Sequence, residues 1–574
     1  MKKTFLFIAV LLVAVSSAQV PLFQSVSTFG GNGHDAPSGM TSDDEGNIYL
    51  TGIYNDTADF DPGPGVAILD LPATAVHAMF ITQLDSAGNF GWVKCLQSTI
   101  GVNSTSIKLD NEGNIYSVGH FQGTVDLDPG TGVFPVTATS AYPDLFILKL
   151  DNSGNFVWAA TFAGPSLEAF YDLEIDVAGN VYSTGYFYNT VDFDPGAGSF
   201  PLSSFGAMDV FVLKLSGEGV LGWVKQLGGP GDDYPRAMKL DQDANVYTTG
   251  TFTLTADFDP GPDSCNYTGL VDCSHNMFLS KLDSSGNFVW CTHVQQLELG
   301  STASGDALAI ADNHVFVTGA FGGTADFDPL GDGCYLTSTY VNQFVLKYSL
   351  DGNFKWVRQI FGIGPAASYG RAIAIDEFSR VVTAGVFDNT CDFDPGDNSA
   401  NMSSMWWSKD CFIQVLDSLG NFVWADIAAF GPSGGERVES LLIDEFQHLY
   451  LLGEFNDSAD FNASPLPNFI HTAGVSTDIF LSKFSMADVS GAIADMSELN
   501  SISVFPNPSS GQFFVSAPGP YNVEVYNSIG QLLFASENVM QDSPVMIEAL
   551  AAGIYFVKVE QSELVVTKKV IIER

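Results

Sequence analysis

Basic residues are scarce in this chain. The 22 Lys and Arg stand against 66 Asp and Glu in 574 residues, a net charge of −44. Nucleic-acid affinity comes mainly from Lys and Arg neutralising phosphates, so this balance argues against a polyanion as partner, and against an anionic membrane surface for the same reason. Beyond the N-terminus no apolar run is long enough to cross a bilayer as a helix. The 7 Cys contain no Cys-x-x-Cys run, which argues against a zinc site. The 8 His are scattered without a His-x-x-x-His pair, and no set of nucleophile, base and orienting group stands out. Carboxylates are so numerous that a glycosidase pair carries no signal. A non-enzymatic protein without a resident cofactor is the expectation. Total charge is low as well, 15% of residues against 46% apolar, so the chain escapes the composition of disordered acidic sequences and has the means to build a core.

What is abundant is repetition. Asp-Phe-Asp-Pro-Gly stands at residues 59–63, 192–196, 257–261 and 392–396, with variants beginning at Asp126, Asp326 and Asp460. Successive copies are 67, 66, 65, 69, 66 and 68 residues apart. That beat suits a four-stranded propeller blade with one enlarged loop. Each unit has a strand ending in Asp, a short turn ending Gly-Asn and a second strand, as in residues 107–119, which is a hairpin signature. After the acidic loop come a third strand, such as residues 145–150, an Asp-x-x-Gly-Asn turn and a fourth strand, such as residues 156–158. Trp92, Trp158, Trp223, Trp290, Trp356 and Trp424 occupy the fourth strand, where packing between blades is the expected role.

The seventh unit stops after its third strand, residues 479–484, while residues 22–29 are an orphan strand followed by Gly30-Gly31, as Gly228-Gly229 follows the strand of Trp223. The N-terminal strand is therefore expected to close the ring, because an open array would leave two unpaired sheet edges. These units resemble the SBBP type of β-propeller repeat, in the Gly-Asn-hydrophobic-Tyr strand and the Phe-x-x-Lys-Leu-Asp-x-x-Gly-Asn run, over residues 20–485. The resemblance implies an all-β, seven-bladed β-propeller over residues 19–485, and no particular activity.

Within a unit two connections are tight and two are long, so the long loops share one face, which is the expected binding surface. The Asp-x-Asp pairs on it are Asp59 with Asp61, Asp126 with Asp128, Asp192 with Asp194, Asp257 with Asp259, Asp326 with Asp328 and Asp392 with Asp394. They admit two readings. Carboxylates two residues apart in an extended segment point the same way and suit calcium. Alternatively the Asp side chains bond local N–H groups, Pro-Gly makes the turn and Phe packs between blades. A third-strand Lys recurs at Lys149, Lys214, Lys281, Lys347 and Lys483, which suggests a structural ion pair. Arg236, Arg371 and Arg437 stand just before the first strand of three units only; converging there, they would hold a carboxylate or sulfate group. Cys265 with Cys273, and Cys391 with Cys411, are the disulfide candidates, each pair within one unit.

Both ends of the chain read as export signals. Residues 1–18 have the build of a secretory signal peptide: Lys2 and Lys3, an apolar run over residues 5–15, then Ser16-Ser17-Ala18. The run is shorter than a membrane anchor needs, so cleavage after Ala18 is expected. At the other end residues 486–499 form a linker, and residues 500–574 read as a small Ig-like β-sandwich from their alternating strands and turn residues. Pro-Asn-Pro at residues 506–508, Gly-Gln-Phe at 511–513, Gly-Ile-Tyr at 553–555 and a Lys-bearing last strand resemble the type A C-terminal sorting domain of the type IX secretion system. The resemblance implies passage through the inner membrane, then export across the outer membrane by the type IX machinery. The expectation is a secreted or surface-displayed propeller that binds an extracellular glycan or protein. The alternatives are a polysaccharide-acting hydrolase or lyase, with a deep asymmetric pocket of non-repeated residues, and a calcium-stabilised structural protein.

Overall fold

The computed structural model describes residues 20–487, apart from 72–74, 271–274, 406–407, 433–434, 463–468 and 475, and the strands between 503 and 572. The expected signal peptide, and residues 488–499 of the expected linker, lie outside the described residues, as does Cys273. Among the described residues there is no helix: the protein is all-β. Two compact units divide the chain, one of Leu22–Ala463 with Asn468–Ser485 and one that takes in Met486–Arg574.

The larger unit is a series of antiparallel meanders. Sheet I runs Ala36–Ser42, Ile48–Tyr54, Ala78–Leu84, Phe90–Leu96 in spatial order. Sheets II to VI keep that order, with first strands Gly101–Leu109, Glu168–Ile175, Tyr234–Leu240, Thr302–Ala311 and Ser368–Ile375. Sheet VII takes Arg437–Ile443, His448–Asn456 and Thr477–Ala487 from the end of the unit, and beside them lies Val20–Gly31 from its beginning. That last strand of the third position runs two residues past the expected boundary at 485. Second and third strands are buried on both faces, so they read as nearly continuous apolar and small residues; fourth strands are partly exposed. First strands pack side by side in sequence, and Arg437–Ile443 packs in turn against Ala36–Ser42.

The repeated residues couple one sheet to the next. Trp158 Nε1 donates to the Gly217 carbonyl (3.0 Å), Trp223 to that of Ser284 (3.2 Å) and Trp290 to that of Leu350 (3.0 Å), each on the following sheet. The turn that receives the indole is built around a glycine at positive φ. At Gly286 (φ 78°) a Cβ would sit 3.0 Å from Trp223 Cδ2, so neither the backbone nor the contact admits a side chain. The third-strand Lys joins the same contact: Lys214 Nζ donates to the Ser284 carbonyl (3.3 Å), Lys281 to Leu350 (3.1 Å) and Lys483, from sheet VII, to Ser86 of sheet I (3.1 Å). Ion pairing is a smaller part of its role than expected. Lys149 and Lys281 lie 3.6 Å from Asp110 and Asp241, but Lys149, Lys214, Lys281, Lys347 and Lys483 all sit 4.7–5.3 Å from the centre of an aromatic ring.

The acidic loops are small hairpins rather than irregular connections: Thr190–Asp192 pairs with Pro201–Ser203, and Thr255–Asp257 with Asn266–Thr268. The apolar residue between the two Asp, Phe60, Leu127, Phe193, Phe258, Phe327 or Phe393, is fully buried. The cysteine expectations need correction. Cys265 is bonded to Cys291, not Cys273, because its hairpin lies over the fourth strand Phe288–His293, where Tyr267 Oη also donates to the Cys291 carbonyl (2.8 Å). Cys391 and Cys411 are free and buried, and the Cys391 thiol points to the Ala367 and Asp388 carbonyls.

In the C-terminal unit Ser503–Phe505, Phe513–Ser516 and Val545–Ile547 form one antiparallel sheet, and Leu532–Val539, Tyr521–Asn527, Gly553–Gln561 and Leu564–Ile572 a second. Val523, Val525, Val557 and Val559 alternate inward on the second sheet.

Candidate functional site

Every first strand of sheets I to VII carries a β-bulge at the same place. The extra residue is Ser38, Thr105, Tyr171, Arg236, Asp306, Arg371 or Glu439, and it stands about five residues before the first turn of its unit. A bulge re-aims a side chain out of the ladder. All seven line one cavity of about 700 Å³ that touches all seven first strands. At this position the units agree in backbone and differ in chemical type: two hydroxyls, one phenol, two guanidiniums and two carboxylates.

Arg236, Arg371 and Arg437 do meet in this cavity, though not as equivalents. All three lie within strands rather than before them. Arg236 and Arg371 are bulge residues; Arg437 stands two residues earlier in its strand, and the bulge of its unit is Glu439. Arg437 Nε pairs with Glu439 Oε1 at 2.6 Å. Arg236 lies over the Tyr171 ring (5.4 Å), which opens a row of phenols: Tyr171 to Tyr186 at 6.0 Å and Tyr186 to Tyr234 at 5.2 Å. The Nε of Arg371 is buried without a hydrogen-bond partner. Burial pushes the Asp306 carboxyl up, opposed by Arg371 and Arg236, and pushes Glu439 up, opposed by Arg437. Deeper along the same strands Glu174 Oε1 pairs with Lys239, and with Lys108 at 3.3 Å, so the two amines hold this partly buried carboxyl low against the effect of burial. Five of the 22 basic residues, Lys108, Arg236, Lys239, Arg371 and Arg437, thus line one cavity of a strongly acidic protein.

The candidate calcium ligands lie in the hairpins, where their Oδ1 atoms are turned onto local N–H groups, the arrangement that the second reading of the motif expects. Asp192 Oδ1 accepts from the N–H of Asp194 (3.1 Å) and of Phe200 (2.7 Å), which clamps the returning strand; Asp194 Oδ1 accepts from Gly196 (2.8 Å) in the Pro-Gly turn. In four other copies the second acid is spent on the same turn. Asp61 accepts from Gly63 (2.8 Å), Asp128 from Gly130 (2.8 Å), Asp259 from Gly261 (2.7 Å) and Asp394 from Gly396 (2.8 Å). The first acid is spent on the clamp. Asp59 accepts from the N–H of Asp61 and Ala67, Asp126 from that of Asp128 and Phe134, Asp257 from that of Asp259 and Cys265, and Asp392 from that of Asp394 and Ala400. Asp326 likewise accepts from the N–H of Asp328 and Cys334. Among the described residues no three Asp, Glu, His or Cys side chains gather in a metal-ligating group.

Comparison with known proteins defines the class in two places. Residues 503–573 match the secretion system C-terminal sorting domain, and residues 222–251 match the beta-propeller repeat. The chain is therefore a protein with propeller repeats, exported by the type IX route to the cell surface or the medium. A WD repeat-containing protein of Acanthamoeba polyphaga mimivirus is 22% identical over 499 residues; these cover 73% of this chain and 35% of the relative, so the chain spans about a third of that protein's length. Among solved structures, a protein of unknown function from Bacteroides caccae is 9% identical and aligns over 61% of this chain and 89% of its own, with a TM-score of 0.28. The extracellular domain of a putative hybrid two component system from B. thetaiotaomicron is 10% identical over 94% of this chain and 87% of its own, with a TM-score of 0.16. Scores this low carry no argument about this chain.

Proposed function

We propose that this chain is a seven-bladed β-propeller closed by its N-terminal strand, delivered by a cleaved signal peptide and the type IX machinery, and that it binds an extracellular glycan or protein without chemically altering it. The ring reading is supported by the circuit of first-strand contacts, by the Lys483 contact from sheet VII to sheet I, and by the pairing of Gly30 with Asp59, the counterpart of Gly228 with Asp257. The single observation that carries the binding reading is the cavity whose seven bulge residues are all placed alike and chemically unlike. Repetition serves the scaffold; a position freed from repetition is where selection for a ligand can act.

The cavity suits a ligand that offers a carboxylate or sulfate to Arg236 and Arg371 and an apolar face to the Tyr171 row, as an acidic sugar does. An array of glycans and surface proteins probed with the mature chain tests this. Arg236→Ala with Arg371→Ala is expected to weaken binding of the best ligand at least ~10-fold, the effect of losing about 1.4 kcal/mol. Unchanged binding would sink the arginine reading.

A second reading, an enzyme acting on polysaccharide, is favoured by the asymmetry of the cavity and by the raised carboxyls of Asp306 and Glu439. Incubation of array ligands with the protein separates the two, since shortened glycan chains would indicate catalysis. Calcium has no stabilising role in the proposed scaffold, because local N–H donors already occupy the hairpin Oδ1 atoms. Melting temperatures with calcium and with chelator are expected to coincide; a rise of several degrees with calcium would restore the structural-calcium reading.

A further inference from the structure

Where neighbouring sheets meet, the third-strand residue that pairs with a second-strand aromatic, as Asp209 does with Phe187 and Asp478 with Phe455, faces the residue three places before the next bulge. The backbones join there in the same way, as in Asp35 N–H to the Thr477 carbonyl (3.0 Å), Asp233 to Met208 (2.8 Å) and Ala303 to His275 (3.0 Å). The seven junctions differ in what they oppose. Four set acid against acid: Asp144 with Glu168, Asp209 with Asp233, Asp410 with Glu436, and Asp478 with Asp35. The other three set Ala78 with Val102, Asn276 with Ala303, and Asn342 with Ser368. Acids therefore occur in pairs or not at all.

None of the eight carboxyl residues is more than 4% exposed. Among the described residues none of them forms a salt bridge. The charged groups that face them are acidic, Asp56 near Asp35 and Asp232 near Asp233. Adjacent basic and titratable residues are committed elsewhere: His34 Nδ1 to Thr477 Oγ1, Lys409 over the Tyr369 ring, Arg437 to Glu439; the Tyr234 phenol and the buried Cys411 thiol are neutral.

The hydrogen bonds leave one oxygen open in three of the pairs and two in the fourth. Asp35 accepts from Gly31 (2.8 Å) and Asn55 (3.1 Å), filling both oxygens, while Asp478 uses Oδ2 for Ala473 (2.7 Å) and leaves Oδ1 without a partner. Asp233 accepts from Gly229 (2.8 Å) and Thr253 (3.3 Å), while Asp209 Oδ1 has none. Asp410 accepts from Met405 and Ser408, while Glu436 Oε1 has none. In the fourth pair both oxygens of Glu168 are open. In two pairs the open oxygen lies on the side of its partner: a Cβ on Gly228 would lie 2.7 Å from Asp233 Oδ2 and 2.8 Å from Asp209 Oδ1, and one on Gly30 would touch Asp478 Oδ1 and lie 3.1 Å from Asp35 Oδ2.

Two buried carboxylates with no cation beside them repel strongly, so something positive belongs between them. A calcium ion takes six to eight oxygens, roughly, and three of these pairs offer one unengaged oxygen. A proton needs one donor oxygen and one acceptor, which is what each pair provides. We propose that each of the four junctions is held by a single proton shared between its two carboxyl groups, so that the sheets grip one another more tightly in mild acid than in alkali.

Burial, opposed by the backbone N–H bonds and reinforced by the facing carboxylate, moves these groups in the required direction. Asp233 and Glu168 are pushed up to about 8, Asp35 and Glu436 to about 7. Burial alone raises Asp209, Asp410 and Asp478 to about 6. Folding therefore takes up protons, and the stabilisation, full below the ordinary carboxylate range, is lost as pH rises through 6 to 8.

Thermal unfolding of the mature chain between about pH 5.5 and pH 8.5 tests this, alongside Asp209→Asn. The fold already uses Asn at this place in Asn276 and Asn342, and the amide would donate permanently where the shared proton donates conditionally. The melting temperature of the unaltered protein is expected to fall with pH, and that of Asp209→Asn to fall less and to lie higher at pH 8.5. Equal destabilisation of the variant at both pH values would overturn the proposal. So would calcium that raises the melting temperature of the unaltered protein and not of the variant, since the pair would then hold a cation. Should the variant not fold, unfolding enthalpies of the unaltered protein near pH 7 in buffers of different ionisation heat read the same quantity: proton release supports the shared proton, and none or uptake overturns it.

Discussion

Removal of residues 20–31 is expected to abolish the cooperative fold of the larger unit, a loss on the order of the whole stability of a domain, ~5–15 kcal/mol. The deleted strand does three things at once. It lies beside Thr477–Ala487, whose outward N–H and C=O groups would otherwise form an open edge. It buries Phe29 in the cluster with Leu50, Phe60, Phe80 and Leu452, residues drawn from both ends of the unit. It presents Gly30 and Gly31 to Asp59 and Ala58, and so ties sheet VII to the hairpin of sheet I. Deleting the same length from the C-terminal unit touches none of these contacts. Thermal melts of the two truncated chains, followed by circular dichroism, distinguish the effects: loss of the transition only in the first is the expected result.

Phe193→Ala is expected to cost about 3–5 kcal/mol, the usual penalty for emptying a fully buried aromatic site. Phe193 is the central residue of an Asp-Phe-Asp-Pro-Gly copy, and its ring stands 4.8 Å from Phe211, 5.5 Å from Phe187 and 6.3 Å from Phe162. Phe162 lies on sheet II and the other two on sheet III, so the ring bridges neighbouring sheets. Asp192→Ala removes the clamp on Phe200 and Asp194 instead, and is expected to cost about 1–2 kcal/mol, since the freed N–H groups lie at a partly exposed hairpin. Chemical denaturation of the two variants compares them directly. A larger effect of the Asp change would mean that the motif serves its carboxylates before its aromatic ring.

These two expectations mark how far the sequence alone reaches. The period of 65–69 residues, the fourth-strand Trp and the buried Phe of the acidic motif are legible because they are written identically many times over, and the orphan strand of residues 22–29 is legible because one unit is visibly short. The cavity is not, because it depends on where a bulge falls. Arg236 and Arg371 attract notice as rare basic residues, but Tyr171, Asp306 and Glu439 share their bulge position and have no composition to advertise it. Aligning the seven units on the first turn and asking which position refuses to repeat would have found them.

Register defeats a second kind of reading. Arg437 looks equivalent to Arg371 by nearness to the strand start, yet a shift of two residues places Glu439 on the bulge and leaves Arg437 as its counterion. Cys265 has Cys273 as its nearest candidate in sequence and Cys291 as its neighbour in space, because the hairpin folds back over the fourth strand. The paired acids are hidden for the same reason. Asp35 and Asp478 are 443 residues apart and meet only when the two ends of the unit lie together.

That meeting is the central claim, and hydrogen exchange on the intact mature chain tests it without altering a residue. Along a third strand the amides point alternately to the second strand and to the fourth. If Val20–Gly31 covers sheet VII, every second amide of Ile479–Phe484 is protected by it, and protection along that segment equals that of Val210–Leu215, which has a neighbour on both sides. Equal protection of the two segments is the expected result. Rapid exchange of alternate amides in Ile479–Phe484, with full protection of Val210–Leu215, would show an open edge and contradict the closed ring.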